Sequence, residues 1–263
     1  MLIAQLSDTH VDLSRPAKAQ ALQRAVAHLN QLPLRPDAVI VSGDCAEHGP
    51  PGEYALFRER LAPLPMPVYV IPGNHDQRDE LGRAVGPQGT QALDGFMQYV
   101  VECDPLRLIA LDTHVPGESG GLLCEKRLGW LQDRLSEAPQ TPTLIFMHHP
   151  PLVTGIQPVD RTELEGAGAF ADIIRQHPQV RRVVAGHIHM STVQHLAGTV
   201  LMTCSGTDAA WLPDLGQPAK VLAQQQPASC LLHYWTPADD LLTYTSVIGQ
   251  YGLVTQHDGV QWI

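Results

Sequence analysis

The feature that most constrains this chain is a series of short apolar runs, each closed by a polar cluster. Leu2 to Leu6, Ala38 to Val41, Val68 to Ile71, Arg107 to Leu111, Thr143 to Met147 and Arg182 to Ala185 all have this form. Between them, Ala17 to Leu32 has helical periodicity and runs into Pro33, and Glu53 to Leu61 reads as a helix closed by prolines. Runs that are continuously apolar, not alternating, belong to strands buried on both faces, so the first 200 residues read as a layered α/β fold. From about Thr192 the pattern shifts to strands and irregular loops. Ser229 to Trp235 and Leu241 to Ile248 read as a hairpin. We expect residues 1–205 to form the core, and residues 206–263 to form strands or a cap packed on the same domain.

Five polar clusters sit directly after the apolar runs: Asp8-Thr9-His10, Gly43-Asp44, Gly73-Asn74-His75-Asp76, His148-His149-Pro150 and Gly186-His187-Ile188-His189. In open α/β sheets this is where ligands bind. Each cluster alone has an ordinary reading. D-x-H serves as a strand-end cap, Gly-Asp as a turn, and H-x-H as two side chains on one face of a strand. Together they supply carboxylate, amide and imidazole donors, a set suited to Mn, Fe, Co or Zn. Two ions need about seven protein ligands with one carboxylate shared, and the clusters hold that number. Such ions, about 3.5–4 Å apart, can hold a hydroxide between them and lower its pKa.

Composition removes several other readings. The net charge is -10, from 17 basic and 27 acidic residues, and a surface that acidic disfavours nucleic acid as a partner. No apolar run approaches the roughly 18 residues of a membrane span. The start, Met1-Leu2-Ile3-Ala4-Gln5-Leu6, has no basic stretch ahead of an apolar one, so a cytoplasmic location is expected. The five cysteines are scattered and form no C-x-x-C pair, which argues against a disulfide framework and a thiolate zinc site. The 13 histidines raise the question of a metal site.

The ordered set D-x-H, G-D, G-N-H-[DE], H-x-P and G-H-x-H resembles the calcineurin-like metallophosphoesterase superfamily. The resemblance covers about residues 2 to 205. Leu6-Ser7-Asp8-Thr9-His10, Val41-Ser42-Gly43-Asp44, Ile71-Pro72-Gly73-Asn74-His75-Asp76 and Phe146-Met147-His148-His149-Pro150-Pro151 are most similar to bacterial class III cyclic nucleotide phosphodiesterases and related glycerophosphodiesterases. Pro227-Ala228-Ser229-Cys230-Leu231 extends the likeness into the tail. The resemblance implies a four-layer αββα sandwich with a C-terminal strand-rich cap or tail. It implies that Asp8, His10 and His189 hold one metal, that Asn74, His148 and His187 hold the other, and that Asp44 bridges them. His149 then packs behind the site.

His75 is the candidate catalyst that is not a ligand, placed beside Asn74 to act on the leaving oxygen as general acid or by charge. Asp76 reads either as the carboxylate that orients His75 or as an N-cap for the segment from Gln77. His114 follows the Leu111-Asp112-Thr113 strand end and stands as a cleft-lining candidate. Asp160 and Arg161 read either as a substrate wall or as solvated charges. Two positions depart from the family's pattern: Glu47, where many relatives carry Asp or Asn, and Asp208-Ala209, where glycerophosphodiesterase-like relatives carry a histidine nearby.

The expected function is hydrolysis of small phosphodiesters at a binuclear centre, a metal-bridging hydroxide attacking phosphorus in line. The expected substrates are 3′,5′-cyclic nucleotides, cyclic AMP first. A glycerophosphodiesterase or broad diesterase is the alternative within the class, and an inactive metal-binding scaffold the alternative outside it. Two metals supply local positive charge, which lets an acidic protein take an anionic ester. By family analogy, the tail hairpin offers pairing across a homodimer.

Overall fold

The computed structural model describes residues 1–216, 220–224 and 227–249. Two sheets carry the fold. The first has the order Leu241–Val247, Ser229–Trp235, Leu2–Leu6, Ala38–Ser42, Val68–Ile71, its last three strands parallel. The second has the order Val193–Leu196, Thr199–Thr203, Val180–Ala185, Thr143–Phe146, Leu106–Ala110, Tyr99–Cys103. Its four middle strands are parallel, and an antiparallel strand closes each edge.

Alternation along the strands produces the layers. Ala4 and Leu6 turn to one side, with Val39 and Val41, and pack on Leu22, Leu29 and Phe57 of helices Pro16–Gln31 and Pro51–Leu61. Ile3, Ile40 and Ile71 turn the other way, into an inner core shared with Leu108, Leu144 and Phe146 of the second sheet. The far face of that sheet, through Ile109, Ile145 and Val183, packs on Leu131, Leu135, Phe170 and Ile174. Those four side chains belong to helices Glu125–Glu137 and Ala167–Gln176. The order is helix, sheet, sheet, helix: the αββα sandwich expected from the resemblance. Strands covered on both faces explain why the runs are continuously apolar.

Gln5 breaks the apolar pattern inside this core. Its Nε2 donates to Ser42 Oγ (2.8 Å) and to Ala185 O (3.1 Å) of the opposite sheet, and its Oε1 lies 3.2 Å from His233 Nε2. The buried amide is therefore satisfied, and it ties the two sheets together just below their polar strand ends.

The tail hairpin joins the first sheet, with Ser229–Trp235 antiparallel beside Leu2–Leu6. Part of the 206–263 segment, residues 217–219, 225–226 and 250–263, lies outside the described residues. Three helices, Arg78–Val85, Glu125–Glu137 and Ala167–Gln176, and the edge strand Tyr99–Cys103 were not singled out from the sequence. No described helix is long and apolar enough to cross a membrane.

Candidate metal centre

All five polar clusters leave the ends of parallel strands on the same side of the sandwich. Asp8 and His10 follow Leu2–Leu6, Asp44 follows Ala38–Ser42, and Asn74 and His75 follow Val68–Ile71. His148 follows Thr143–Phe146, and His187 and His189 follow Val180–Ala185. The backbone there is unusual. Eight described non-glycine residues have left-handed φ, and five of them are Asp8, His10, Asp44, His187 and His189. Such conformations cost on the order of 1–3 kcal/mol each and persist where the surroundings over-determine them, commonly at functional sites. Gly43 (φ 95°) has no alternative, since a Cβ there would run into the His148 ring. At Gly186 a Cβ would meet Ser7 Oγ, so the two sheets approach at a point only glycine permits.

The side chains fall into two groups that share Asp44. In the first, His10 Nε2 lies 3.1 Å from His189 Nε2 and 3.5 Å from Asp44 Oδ2, and His189 Nε2 lies 3.3 Å from Asp8 Oδ1. In the second, Asn74 Oδ1 lies 3.1 Å from His148 Nε2 and 3.0 Å from His187 Nδ1, and His148 Nε2 lies 3.4 Å from Asp44 Oδ2. Asp44 Oδ2 therefore faces an imidazole of each group. Nitrogen and oxygen atoms of the metal-ligating kind converge to 3.0–3.5 Å of one another, so a cation that displaced the His148 proton would find its donors assembled. The imidazole, carboxylate and amide donors fit first-row transition metals.

The orientation of each ring is fixed from behind. The His148 Nδ1–H donates to Ser42 O (2.8 Å), and His187 Nε2 meets Thr162 Oγ1 (2.7 Å). His10 Nδ1 sits 3.2 Å from Glu47 Oε2, an ion-pair distance without hydrogen-bond alignment. Glu47 is itself held by Arg15 (2.7 Å) and Lys18 (3.2 Å). The His189 ring stacks on Trp211 at 4.7 Å. Burial drives the His187 pKa down to about 3 and lowers that of His189, so both rings stay neutral with a lone pair to offer. Burial would raise Asp44, but the imidazoles of His148 and His10 outweigh it and hold the carboxyl well below its usual range. Burial also pulls His148 down, and the Asp44 charge overcomes it, lifting the ring to about 9.

His149 lies within reach of His148 and His187. Its Nδ1 is paired with Thr113 Oγ1 (2.8 Å), and its Nε2 with Ser119 O (3.3 Å). Both nitrogens are committed, so it packs behind the site. His75 is exposed at the rim, its ring edge-on to His10 at 4.7 Å. Its backbone N–H donates to Asp44 Oδ1 (2.9 Å), and its Nδ1–H donates to Glu47 O (2.8 Å), which leaves Nε2 free.

Asp76 does neither of the things the sequence suggested. It does not touch the His75 ring, and the helix cap is Gln77, with no side-chain hydrogen bond. Its carboxylate is buried and accepts from Gly73 N (2.9 Å), Cys45 N (3.0 Å), Ala46 N (3.1 Å) and Tyr54 Oη (3.2 Å). It clamps the Asp44 loop to the Asn74 loop. Asp160 folds its own loop by accepting from Thr154 N and Gly155 N, and Arg161 stands exposed. That loop reaches the centre through Thr162, which sequence reasoning passed over. Asp208 pairs with Lys18 at 3.6 Å.

Comparison with known proteins identifies the family. The family model for calcineurin-like phosphoesterase matches residues 1–191. The chain is 34% identical to a probable glycerophosphodiester phosphodiesterase of Arcobacter nitrofigilis, over 95% of this chain and 94% of the relative. It is 30% identical to a 3′,5′-cyclic adenosine monophosphate phosphodiesterase of Pseudomonas aeruginosa, over 72% of this chain and 70% of the relative. A dimetal phosphatase from Danio rerio shares the fold, with a TM-score of 0.70 at 16% identity, over 94% of this chain and 99% of that one. With the strand-end clusters, the two donor groups and a family match over most of its length, this chain belongs to the calcineurin-like phosphoesterase family and is a metal-dependent phosphoesterase.

Proposed function

We propose that the protein is a binuclear phosphodiesterase that hydrolyses small phosphodiesters. The observation that carries this reading is the pair of donor groups joined at Asp44 Oδ2. Asp8, His10 and His189 would hold one ion, Asn74, His148 and His187 the other, and Asp44 both. Mn, Fe, Co or Zn suits these donors. When bound, two such ions supply Lewis acidity at the phosphoryl oxygens and an activated water.

The chain's own residues do the rest. His75, with its Nδ1–H fixed on Glu47 O, presents Nε2 at the rim, and when Nε2 also carries a proton the ring would act as general acid, passing that proton to the leaving oxygen and returning to the neutral form. General acid catalysis of this kind typically contributes about 10²–10⁴-fold. Glu47 and Ser42 hold His10 and His148 so that each turns Nε2 inward. The surface is acidic overall, with no linear basic track for a second phosphate, which favours a small diester over a polynucleotide.

Among small diesters, glycerophosphodiesters are favoured, because the glycerophosphodiester phosphodiesterase relative aligns over nearly its whole length. Cyclic AMP, first in the sequence reading, is supported by the shorter alignment to the cyclic AMP enzyme. A kinetic panel on Mn²⁺-loaded enzyme tests both: glycerophosphoethanolamine, cyclic AMP, cyclic GMP and glycerol 3-phosphate. We expect the diesters to exceed the monoester in kcat/KM, with glycerophosphoethanolamine ahead. Preference for the monoester would overturn the diesterase reading, and preference for cyclic AMP would reverse the order within it.

A further inference from the structure

The cleft beside Asn74 and His75, which His114 helps to line, belongs to the centre already described. A separate group of ligating side chains shares no residue with that centre. A carboxylate oxygen of Asp12, one of Glu53 and a ring nitrogen of His48 all lie within 4.8 Å of one another. Three segments bring them together. Asp12 stands two residues beyond His10, His48 follows Glu47, and Glu53 lies in the first turn of helix Pro51–Leu61. A bridge between Val11 and Ala46 sets the first two segments side by side, and Glu47 N donates to Val11 O (3.0 Å).

Two carboxylates this close and this deep call for positive charge. Asp12 is 1% exposed and Glu53 2%. A buried charge is costly unless it is paired. Asp12 has its partner: Arg15 Nε meets Oδ2, and Oδ1 accepts from Ser14 N and Ser14 Oγ, at 2.7 Å each. Glu53 differs. Its Oε2 accepts from His48 N (2.8 Å) and Gly49 N (3.2 Å), and the helix start offsets part of its charge. Among the described residues no Lys or Arg pairs with it, and its Oε1 accepts from no donor. His48 is exposed, and among the described residues neither of its ring nitrogens has a hydrogen-bond partner. Asp12 has filled three of its roughly four lone-pair sites, Glu53 two of its four, and the imidazole keeps its own. An imidazole with two carboxylates is a donor set for Zn²⁺ and its first-row neighbours, with water completing the shell.

We propose that Asp12, His48 and Glu53 form a site for a divalent transition-metal ion, separate from the strand-end centre. A bound ion neutralises Glu53 and staples the loop after Leu2–Leu6 to the loop after Ala38–Ser42 and to helix Pro51–Leu61. It steadies the two loops that carry His10 and Asp44 and takes no part in the reaction.

The test compares wild type, His48→Ala and Glu53→Gln. Each protein is stripped with chelator and dialysed against the same excess of free Zn²⁺, and bound zinc is counted per chain. On the same samples, diethyl pyrocarbonate modification of His48 is followed by peptide mass, with the exposed His195 as control. We expect each variant to bind one ion fewer than wild type. Zinc should slow modification of His48 tenfold or more in wild type but not in Glu53→Gln, and should leave His195 unaffected. Equal zinc counts in all three proteins, or a His48 modified as fast with zinc as without it, would overturn the proposal and reduce any extra ion to an adventitious one. Loss of more than one ion from both variants would mean that these residues support the strand-end centre, and the separate site fails. A wild type that binds a single ion, absent from both variants, would keep this site and sink the binuclear centre instead. Should Glu53→Gln melt far below wild type, His48→Ala, at an exposed position, decides by the zinc count.

Discussion

Asp44 faces His10 on one side and His148 on the other, and its second oxygen accepts the His75 amide. Removing it uncouples both donor groups at once. Asp44→Ala should therefore lower activity below about 1% of wild type and leave the protein short of metal. Retention of two metals per chain with near-normal turnover would dismiss the shared carboxylate. His75 is different in kind, since its side chain touches Glu47 O and the edge of His10 but none of the shared donor atoms. His75→Ala should reduce kcat by about 10²-fold or more at unchanged metal content. Loss of metal together with activity would make His75 a ligand and undo the division of roles. The ligand candidates were legible in the sequence because each sits within a few residues of a strand end and its spacing is local. The contact of Glu47 with His10, Thr162 and the true job of Asp76 were not. Glu47 meets His10 across 37 positions, Thr162 meets His187 across 25, and Asp76 meets Cys45 across 31. Nothing local distinguishes these residues from ordinary loop side chains.

At the scale of elements, the sheets matter more than the helices. The parallel strands announce themselves because burial on both faces demands unbroken apolar runs. Helix Arg78–Val85 did not, because it buries only Leu81 and the rest of it is charged or small. Yet this helix brings Arg78 to the buried Asp112 beside the strand ends. The seam between the sheets carries a testable electrostatic consequence. His233, on strand Ser229–Trp235, is fully buried against Gln5 and Thr243, and burial pushes its pKa down to about 3. In the unfolded chain the ring takes a proton near pH 6.5, so below that pH the unfolded state binds the extra proton. Stability should fall as pH drops from about 6.5 towards 3, by up to about 1.4 kcal/mol per pH unit for this ring. Urea unfolding at pH 7, 6 and 5 should show a shallower loss for His233→Gln than for wild type. Parallel curves for the two proteins would mean that His233 is not held neutral in the fold.

For the whole molecule, the charge balance sets what can approach. The chain carries -10 net, and in the proposed function a phosphate would be drawn to the strand ends by bound metals instead of by basic side chains. Hydrolysis of a small diester should change little between 50 and 300 mM salt, and digestion of single-stranded DNA should be poor throughout. Strong nuclease activity that collapses with rising salt would reveal a basic track assembled in three dimensions. Narrower than any of these is the proposal that seven side chains at the strand ends hold two metal ions on which hydrolysis depends. It is tested most directly by stripping the protein with chelator, titrating Mn²⁺, Co²⁺ or Mg²⁺ back, and measuring bound metal and diester hydrolysis on the same sample. We expect an inactive stripped protein, recovery that follows occupancy up to two ions per chain, and better rescue by Mn²⁺ or Co²⁺ than by Mg²⁺, which prefers oxygen ligands. Full activity in the stripped protein, or saturation of activity at a single ion, would contradict it.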